Sequence, residues 1–344
     1  MKIKIKLSIM VIAIVAAIVT TIAVLLLQRA SAISQELSQK SLMNMAVGRA
    51  NFWKGREDGF LQMMRGIADA MGQYENLPVE NRRNRYDEIL YSCIANNDDF
   101  IRVFTVWKPN AIDGMDAQMI NRPGSTSTGQ YATAYSRQQG KIVMTDNINV
   151  EQTMAHITGP DARKDRVDYP TAFNYDGAET LVFRMGVPII NPTTNEIVGS
   201  VCCMLTTIPM QIRLEAAVAA SEELYGNVLY AGDGTIMSSF IPERRGKKLI
   251  DVEAHYGKYI QQANQAVLEG KTFQCTSYSP ALKEDLHMFI QSFEIGNSGK
   301  TWSVMLGSAD SYIMREVKQI TEFTIILAVI SIIVAAVIVY FVLN

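Results

Sequence analysis

Two uninterrupted apolar runs constrain this chain more than any other feature. Residues 7–27 (LSIMVIAIVAAIVTTIAVLLL) and 323–343 (FTIILAVISIIVAAVIVYFVL) each hold 21 positions without a charged side chain. About 20 apolar helical residues cross the hydrocarbon core of a bilayer, so each run is long enough to span it. A buried helix of that length in a soluble domain carries a polar stripe, and neither run has one. The first run resembles a signal peptide in its basic start (Lys2, Lys4, Lys6) and in Ala30-Ser31-Ala32 beyond it. It exceeds the roughly 7–15 residues of a signal h-region, however, and its helical pattern continues without a break, so an uncleaved anchor is expected.

The three lysines before the first run place the N-terminus in the cytoplasm, because basic flanks stay inside. The expected layout in the cell inner membrane is two-pass, with residues 1–6 cytoplasmic and 28–322 extracytoplasmic. That outer segment carries 29 Lys+Arg against 34 Asp+Glu. A mildly acidic segment excludes a nucleic-acid partner, which requires a basic face. One soluble segment held by a helix at each end suits a sensor that passes a shape change inward. Only Asn344 follows the second run, so the cytoplasmic signalling domain or partner is expected to lie outside this chain.

Between the runs, residues 28–74 hold no proline, and apolar positions recur at helical spacing (Met43, Ala46, Ala50, Trp53, then Phe60, Met64, Ile67, Met71). One long helix is expected there, with its lower part against a partner helix and its upper part on its own domain. Residues 79–96 read as a second helix with Arg82, Arg83 and Arg85 on an exposed side. Strand runs are expected at 101–107, 141–144, 179–190 and 196–207, the last two joined by the loop 191–195. A linking helix at 208–221 precedes a smaller unit, with strands at 227–230, 235–239, 288–293 and 302–308 and a helix at 254–269. The expected class is α+β: two antiparallel, PAS-like sheet modules stacked on one long N-terminal helix and flanked by two transmembrane helices.

That order resembles the double Cache sensory region of bacterial methyl-accepting chemotaxis receptors. The resemblance is carried by Gly186-Val187-Pro188-Ile189-Ile190 followed by Glu196-Ile197-Val198-Gly199-Ser200-Val201, two adjacent strands in such modules. Ala231-Gly232-Asp233-Gly234-Thr235-Ile236 resembles the hairpin of the smaller module, and Lys300-Thr301-Trp302-Ser303-Val304-Met305-Leu306-Gly307 its final strand. The stretch from Trp107-Lys108-Pro109-Asn110 to Asp113-Gly114 is similar to a subset of these receptors. The resemblance implies a membrane-distal module at 85–207 that holds the ligand, a linking helix at 208–222 and a spacer module at 223–310. An exit helix at 311–322 would then lead into the second span, with 28–84 as stalk and start of the second helix.

Amino-acid-binding members carry an Arg-x-Trp-Tyr stretch, a Tyr-x-Asp and a later Asp. Here the first falls on Ala132-Thr133-Ala134-Tyr135, the second near Phe173–Asp176 and the last on Met204. Without that last carboxylate an α-ammonium has no counter-charge, and a buried unpaired cation is expensive. An ordinary amino acid is therefore not the expected ligand; an organic acid, an amine or a solute-binding protein is.

Six residues of the distal module are candidates for the ligand site. Tyr131 and Tyr135, four apart, share a face on a helical turn and either line a pocket or pack in a core. Arg137 clamps a carboxylate or lies on the surface, and Trp107 walls the pocket or fills the core. Asp146 points into the cleft or caps a turn, and Asp176 before Gly177 marks a turn or a ligand contact. No Cys-x-x-Cys or Gly-x-Ser-x-Gly motif and no phosphate loop occurs, and the three histidines lack ligand spacing. No cofactor, metal or enzymatic role is expected, and Cys93, Cys202, Cys203 and Cys275 are expected as free thiols. Cys202 and Cys203, adjacent in a strand, must point to opposite faces.

The expected function is the ligand-sensing and signalling region of a chemoreceptor, dimeric through its stalk and spans. The sensor of a histidine kinase or cyclic-dinucleotide enzyme is the nearest alternative. A membrane-anchored hydrolase or adhesion protein is the rival of another class.

Overall fold

The computed structural model describes residues 2–146, 148–221, 223–280 and 282–343. One helix, α1 (Lys2–Gly72), runs from the first apolar run into the folded region without interruption, about 105 Å at 1.5 Å per residue. After two 3₁₀ turns, α2 (Arg82–Ala95) leads into β1 (Phe100–Trp107). The first sheet continues with β2 (Ala132–Gln138) and β3 (Lys141–Thr145), then α3 (Val150–Thr158), β4 (Arg166–Val167), β5 (Thr171–Tyr175), β6 (Ala178–Ile190) and β7 (Ile197–Thr206). Its antiparallel order is β3-β2-β1-β7-β6-β4, with β5 pairing β6. Helix α4 (Ile208–Ala219) connects to a second sheet of β8 (Gly226–Ala231) and β9 (Ile236–Ser239). Short α5 (Leu249–Val252) and α6 (Ile260–Glu269) precede β10 (Phe273–Ser279), β11 (Glu284–Glu294) and β12 (Thr301–Ala309). The order there is β10-β11-β12-β8-β9, again antiparallel. A single turn, α7 (Asp310–Ile313), then enters α8 (Arg315–Leu343), which runs beside α1. The parts of α1 and α8 holding the apolar runs are long and apolar enough to cross a membrane, and neither is buried inside the protein.

The expected α+β class and the long helix are both present. On α1, Leu42, Ala46, Ala50, Trp53, Glu57, Phe60, Leu61, Met64, Ala68 and Met71 are buried, at steps of one to four residues. This stripe faces both sheets, so its side chains and those of β1, β7 and β12 form one continuous core. The top of the helix is pinned by the β6–β7 loop, where Asn191 Nδ2 donates to the Tyr74 hydroxyl (3.0 Å).

The arginines of α2 correct the sequence expectation. Only Arg85 is exposed, paired with Glu88 (3.0 Å). Arg83 is buried; it bonds both oxygens of Asp113 (2.6 and 3.0 Å) and Asp116 Oδ1 (2.8 Å), and also donates to the Gly129 carbonyl (3.0 Å). Arg82 donates to the carbonyls of Leu77 and Ile112 (3.1 and 2.7 Å). The physical reason is the long 108–130 segment, which folds against α2 and has backbone and carboxylate acceptors to satisfy. Removing the cation leaves two carboxylates buried and unpaired, so Arg83→Leu is expected to cost about 3–5 kcal/mol in chemical denaturation. A loss below about 1 kcal/mol contradicts this account.

Glu57 is a polar residue in an apolar stripe. It is fully buried; Oε1 accepts from Arg56 Nη1 (2.5 Å), and Oε2 has no partner among the described residues. Burial pushes its carboxyl up to about 7 against the lowering effect of Arg56, with Asp99 and Asp58 adding to the rise. The folded state therefore holds a proton that the unfolded chain releases near its ordinary value of 4.5. Stability is expected to fall as pH rises from 4.5 to about 7 and to level off above. Glu57→Gln is expected to flatten that slope and, above the window, to exceed the parent by about 3 kcal/mol in pH-dependent unfolding.

Candidate ligand-binding site

The first sheet has two unlike faces because its strands alternate. Val103 and Trp107 of β1, Met185 of β6, and Val201, Cys203 and Leu205 of β7 point to the α1 core. Phe104, Ala134 and Cys202 point the other way, against Ile148, Val150 and Met154 at the start of α3. Cys202 and Cys203 thus divide between the faces as strand geometry requires, and both are buried because both faces are covered.

On the face away from α1, the strand register assembles a cross-strand row. Ser136 of β2 lies opposite Arg102 of β1, Arg102 opposite Met204 of β7, and Met204 opposite Arg184 of β6. Asp168 extends the row, its backbone N–H donating to the Arg184 carbonyl (2.9 Å). With strands about 4.8 Å apart, the two arginines stand roughly 10 Å apart with a methionine between them. Two adjoining cavities of about 440 and 570 Å³ share Arg102, Phe173 and Met204 as wall. Phe173 of β5 lies over Arg102, 5.7 Å from guanidinium carbon to ring centroid. Ile101, Val182 and Met204 pack with Phe173 and Tyr175 as the apolar part of the wall.

The polar groups of the row are held by side-chain partners. Arg102 Nε donates to Ser136 Oγ (2.8 Å), and Arg184 Nη2 donates to Gln152 Oε1 of α3 (2.6 Å). Asp168 accepts two hydrogen bonds from Arg166 (2.9 and 3.0 Å) and forms an ion pair with Arg184 (2.6 Å). Its single negative charge is therefore shared by two cations. Burial, and then the charge of Arg184, pull the Arg102 guanidinium below its ordinary value. Helix α3 begins at the cavity edge with Asn149 and Gln152, its N-terminal dipole adding positive potential. Lys141 borders one cavity and Lys300 the other. Such a site suits an anion with a small apolar body.

The six sequence candidates do not converge on this site. Trp107 is buried on the α1 face, stacked on Tyr86 (5.7 Å between centroids) and edge-on to Tyr74 (5.2 Å). Tyr131 and Tyr135 lie at β2, not on a helical turn; they share a face through the two-residue period of a strand. That face is the helix side, where the Tyr131 hydroxyl donates to Asp87 Oδ1 (2.9 Å) and Tyr135 meets Tyr91 edge-on. Arg137 stands at the cavity rim, but its guanidinium caps the end of α2, donating to the carbonyls of Ile94 (2.6 Å), Asn97 (3.2 Å) and Phe100 (3.2 Å). Asp176 is also at the rim, in a left-handed conformation (φ 50°), its carboxylate accepting from the Gln139 N–H (3.0 Å). Asp146 is exposed in the loop after β3.

The residues that do meet at the cavity, Arg102, Arg184, Asp168 and Phe173, are not among the six sequence candidates. Their signal was present: Ile101-Arg102-Val103-Phe104 and Val182-Phe183-Arg184-Met185 each set an arginine inside an apolar strand. A charge there must be paired or face a polar space.

Comparison with known proteins places this architecture. No protein-family model matches the chain, and no curated protein does. Solved structures do match. The extracellular domain of the putative histidine kinase mmHK1S-Z3 aligns with a TM-score of 0.66 at 19% identity, covering 82% of this chain and 98% of that one. The periplasmic sensory domain of the Campylobacter jejuni chemoreceptor Tlp1 aligns at 0.62 and 16%, covering 82% and 98%. The ligand-binding domain of the Pseudomonas fluorescens chemoreceptor CtaA, solved with L-isoleucine, aligns at 0.53 and 12%, covering 82% and 96%. The chain has the double Cache fold, that of the extracytoplasmic sensory domains of histidine kinases and chemoreceptors.

Proposed function

We propose that this protein is the sensory region of a transmembrane signal transducer and that it binds a small organic anion in the cavity of the first sheet. The observation that carries the reading is the row Ser136–Arg102–Met204–Arg184, which aims two guanidiniums at a space walled by Phe173 and Met204. A carboxylate is matched by guanidinium geometry and charge. A zwitterionic amino acid also needs an acceptor for its ammonium, and the carboxylate in the row, Asp168, is already held by Arg166 and Arg184. The apolar ends of α1 and α8 cross the membrane, with residues 28–322 outside. Fold does not fix output, and the same input suits a chemoreceptor or a histidine kinase. Ligand binding shifts the protein between two arrangements by its differential affinity for them.

The full chain in lipid nanodiscs is the material for the test. Acetate, benzoate and succinate are compared with L-alanine and ethylamine by thermal shift. At least one carboxylate is expected to raise Tm by mass action, and ethylamine to leave it unchanged. Arg102→Ala and Arg184→Ala are each expected to weaken that response about tenfold or more, whereas Tyr135→Phe leaves it intact. A response to ethylamine or L-alanine alone refutes the anion reading.

We also propose that two copies pair along α1. Gly48, Gly55, Gly59 and Gly66 are all exposed and lie within about 20° of one line at 100° per residue. A Cβ at any of them meets nothing within 4 Å, so packing within the protomer does not require glycine there. Each glycine costs the helix about 1 kcal/mol relative to alanine. Close approach of a second helix accounts for that cost, and exposed Leu37 and Phe52 flank the same line. Gly55→Ile with Gly59→Ile is expected to shift the chain toward monomer in sedimentation while Tm of the protomer holds or rises. An unchanged dimer overturns this pairing.

A further inference from the structure

The turn joining β11 to β12 belongs to the second sheet, yet it reaches the cavity of the first. Lys300, the last residue of that turn, is half-buried and borders the cavity beside Asp168 and Tyr169. Its Nζ lies 3.4 Å from the Tyr169 hydroxyl and 4.7 Å from the Tyr169 ring centroid. The same turn is fastened to the chain just before β4. Asp165 N–H donates to Asn297 Oδ1 (2.6 Å), and Asn297 N–H donates back to Asp165 Oδ2 (2.9 Å). Asp165 is buried, and Arg65 of α1 pairs with it. Gly296 N–H donates to Asp58 Oδ1 of α1 (2.7 Å), and Lys54 bridges Asp58 and the Glu294 carbonyl (2.8 Å each).

Gly296 sits at φ 53°, and a Cβ there would run into Asp165 and Leu61, so the turn is pressed against both partners. One residue after Asp165 stands Arg166, bonded to Asp168, which is bonded to Arg184 at the cavity. One residue after Lys300 begins β12, which ends where α7 and α8 lead toward the membrane. Three elements therefore meet at one turn: the cavity wall, the long helix and the strand that feeds the exit helix.

We propose that this turn, residues 295–300, is the reader of the cavity. Lys300 is a ligand-contacting residue supplied by the second sheet, and the Asp165–Asn297 bonds hold the turn to the cavity wall, so occupancy is passed directly into β12. The Lys300 part rests on the anion reading of the cavity; the Asp165–Asn297 part does not. A second Lys at the cavity edge, Lys141, lies on β3, remote in sequence from the exit helix. Lys300 instead immediately precedes β12, the strand that leads into α7 and α8.

The test has two arms on the full chain in nanodiscs. In the first, amide hydrogen exchange is compared between the parent, Asn297→Ala and Asp165→Asn, with no ligand added. Both variants are expected to speed exchange in 164–170 and in 301–309 together, while 260–269 is unchanged. Acceleration confined to 295–300, or uniform over the chain, overturns the proposal. In the second arm, Lys300→Met keeps the aliphatic stem and removes the charge. It is expected to weaken benzoate or succinate binding about tenfold. It is also expected to cut the ligand-induced protection of 301–309. Unchanged affinity and unchanged protection refute the role of Lys300. If none of acetate, benzoate and succinate binds the parent chain, the anion reading falls with the Lys300 contact that rests on it, and the first arm still decides the Asp165–Asn297 coupling.

Discussion

Everything in this architecture leans on the buried stripe of α1 between Leu42 and Met71. At 1.5 Å per residue that stripe is about 44 Å long, enough to serve one sheet with its lower part and another with its upper part. Neither sheet closes its α1 face by itself, although the other face of the second sheet has a core of its own with α5 and α6. Trp302 of β12 packs edge-on to Phe183 of β6 (5.1 Å between centroids), so the sheets also share side chains across their junction. The helix that forms the spine of this core continues without a break into the first apolar run.

Commitment of one sheet face to the helix dictates where chemistry can occur. The α1 side of the first sheet is filled by Trp107, Tyr131, Tyr135 and their partners, all buried. The opposite face is covered by α3, β5, the loops around them and the β11–β12 turn, and there the strands present Arg102, Arg184 and Ser136. Arginine on a buried face is tolerated because Ser136, Gln152 and Asp168 accept its hydrogen bonds and the cavity keeps part of it hydrated.

Much of the fold was legible in the chain, and the reasons are local. Strands such as β1, β6, β7 and β12 are apolar, β-branched or aromatic runs bounded by turns, and they lie where such runs predict them. The elements that the pattern does not announce include β2, α3, β4, β5, α5 and β10. The segment Ala132-Thr133-Ala134-Tyr135 has little intrinsic β preference and becomes a strand because β1 and β3 offer it hydrogen bonds on both sides. Arg83 shows the same limit for a side chain. A triplet of arginines on a helix reads as a solvated face until the segment from 108 to 130, far longer than an ordinary loop, folds back with Asp113 and Asp116.

Sequence alone determined the two apolar runs, the unbroken helix between membrane and core, the alternating strands and the opposite faces of Cys202 and Cys203. Each follows from a period of one to four residues or from a length compared with a bilayer. Only the tertiary structure decided that Tyr131 and Tyr135 face the core, that Arg137 caps α2, and that Arg102 and Arg184 meet across Met204. It also brought Lys300 to a cavity whose other walls all lie earlier in the chain, none later than Met204. Those outcomes depend on strand register and on which face of a sheet the helix covers, and both are set by pairing between segments distant in sequence, which no local period encodes.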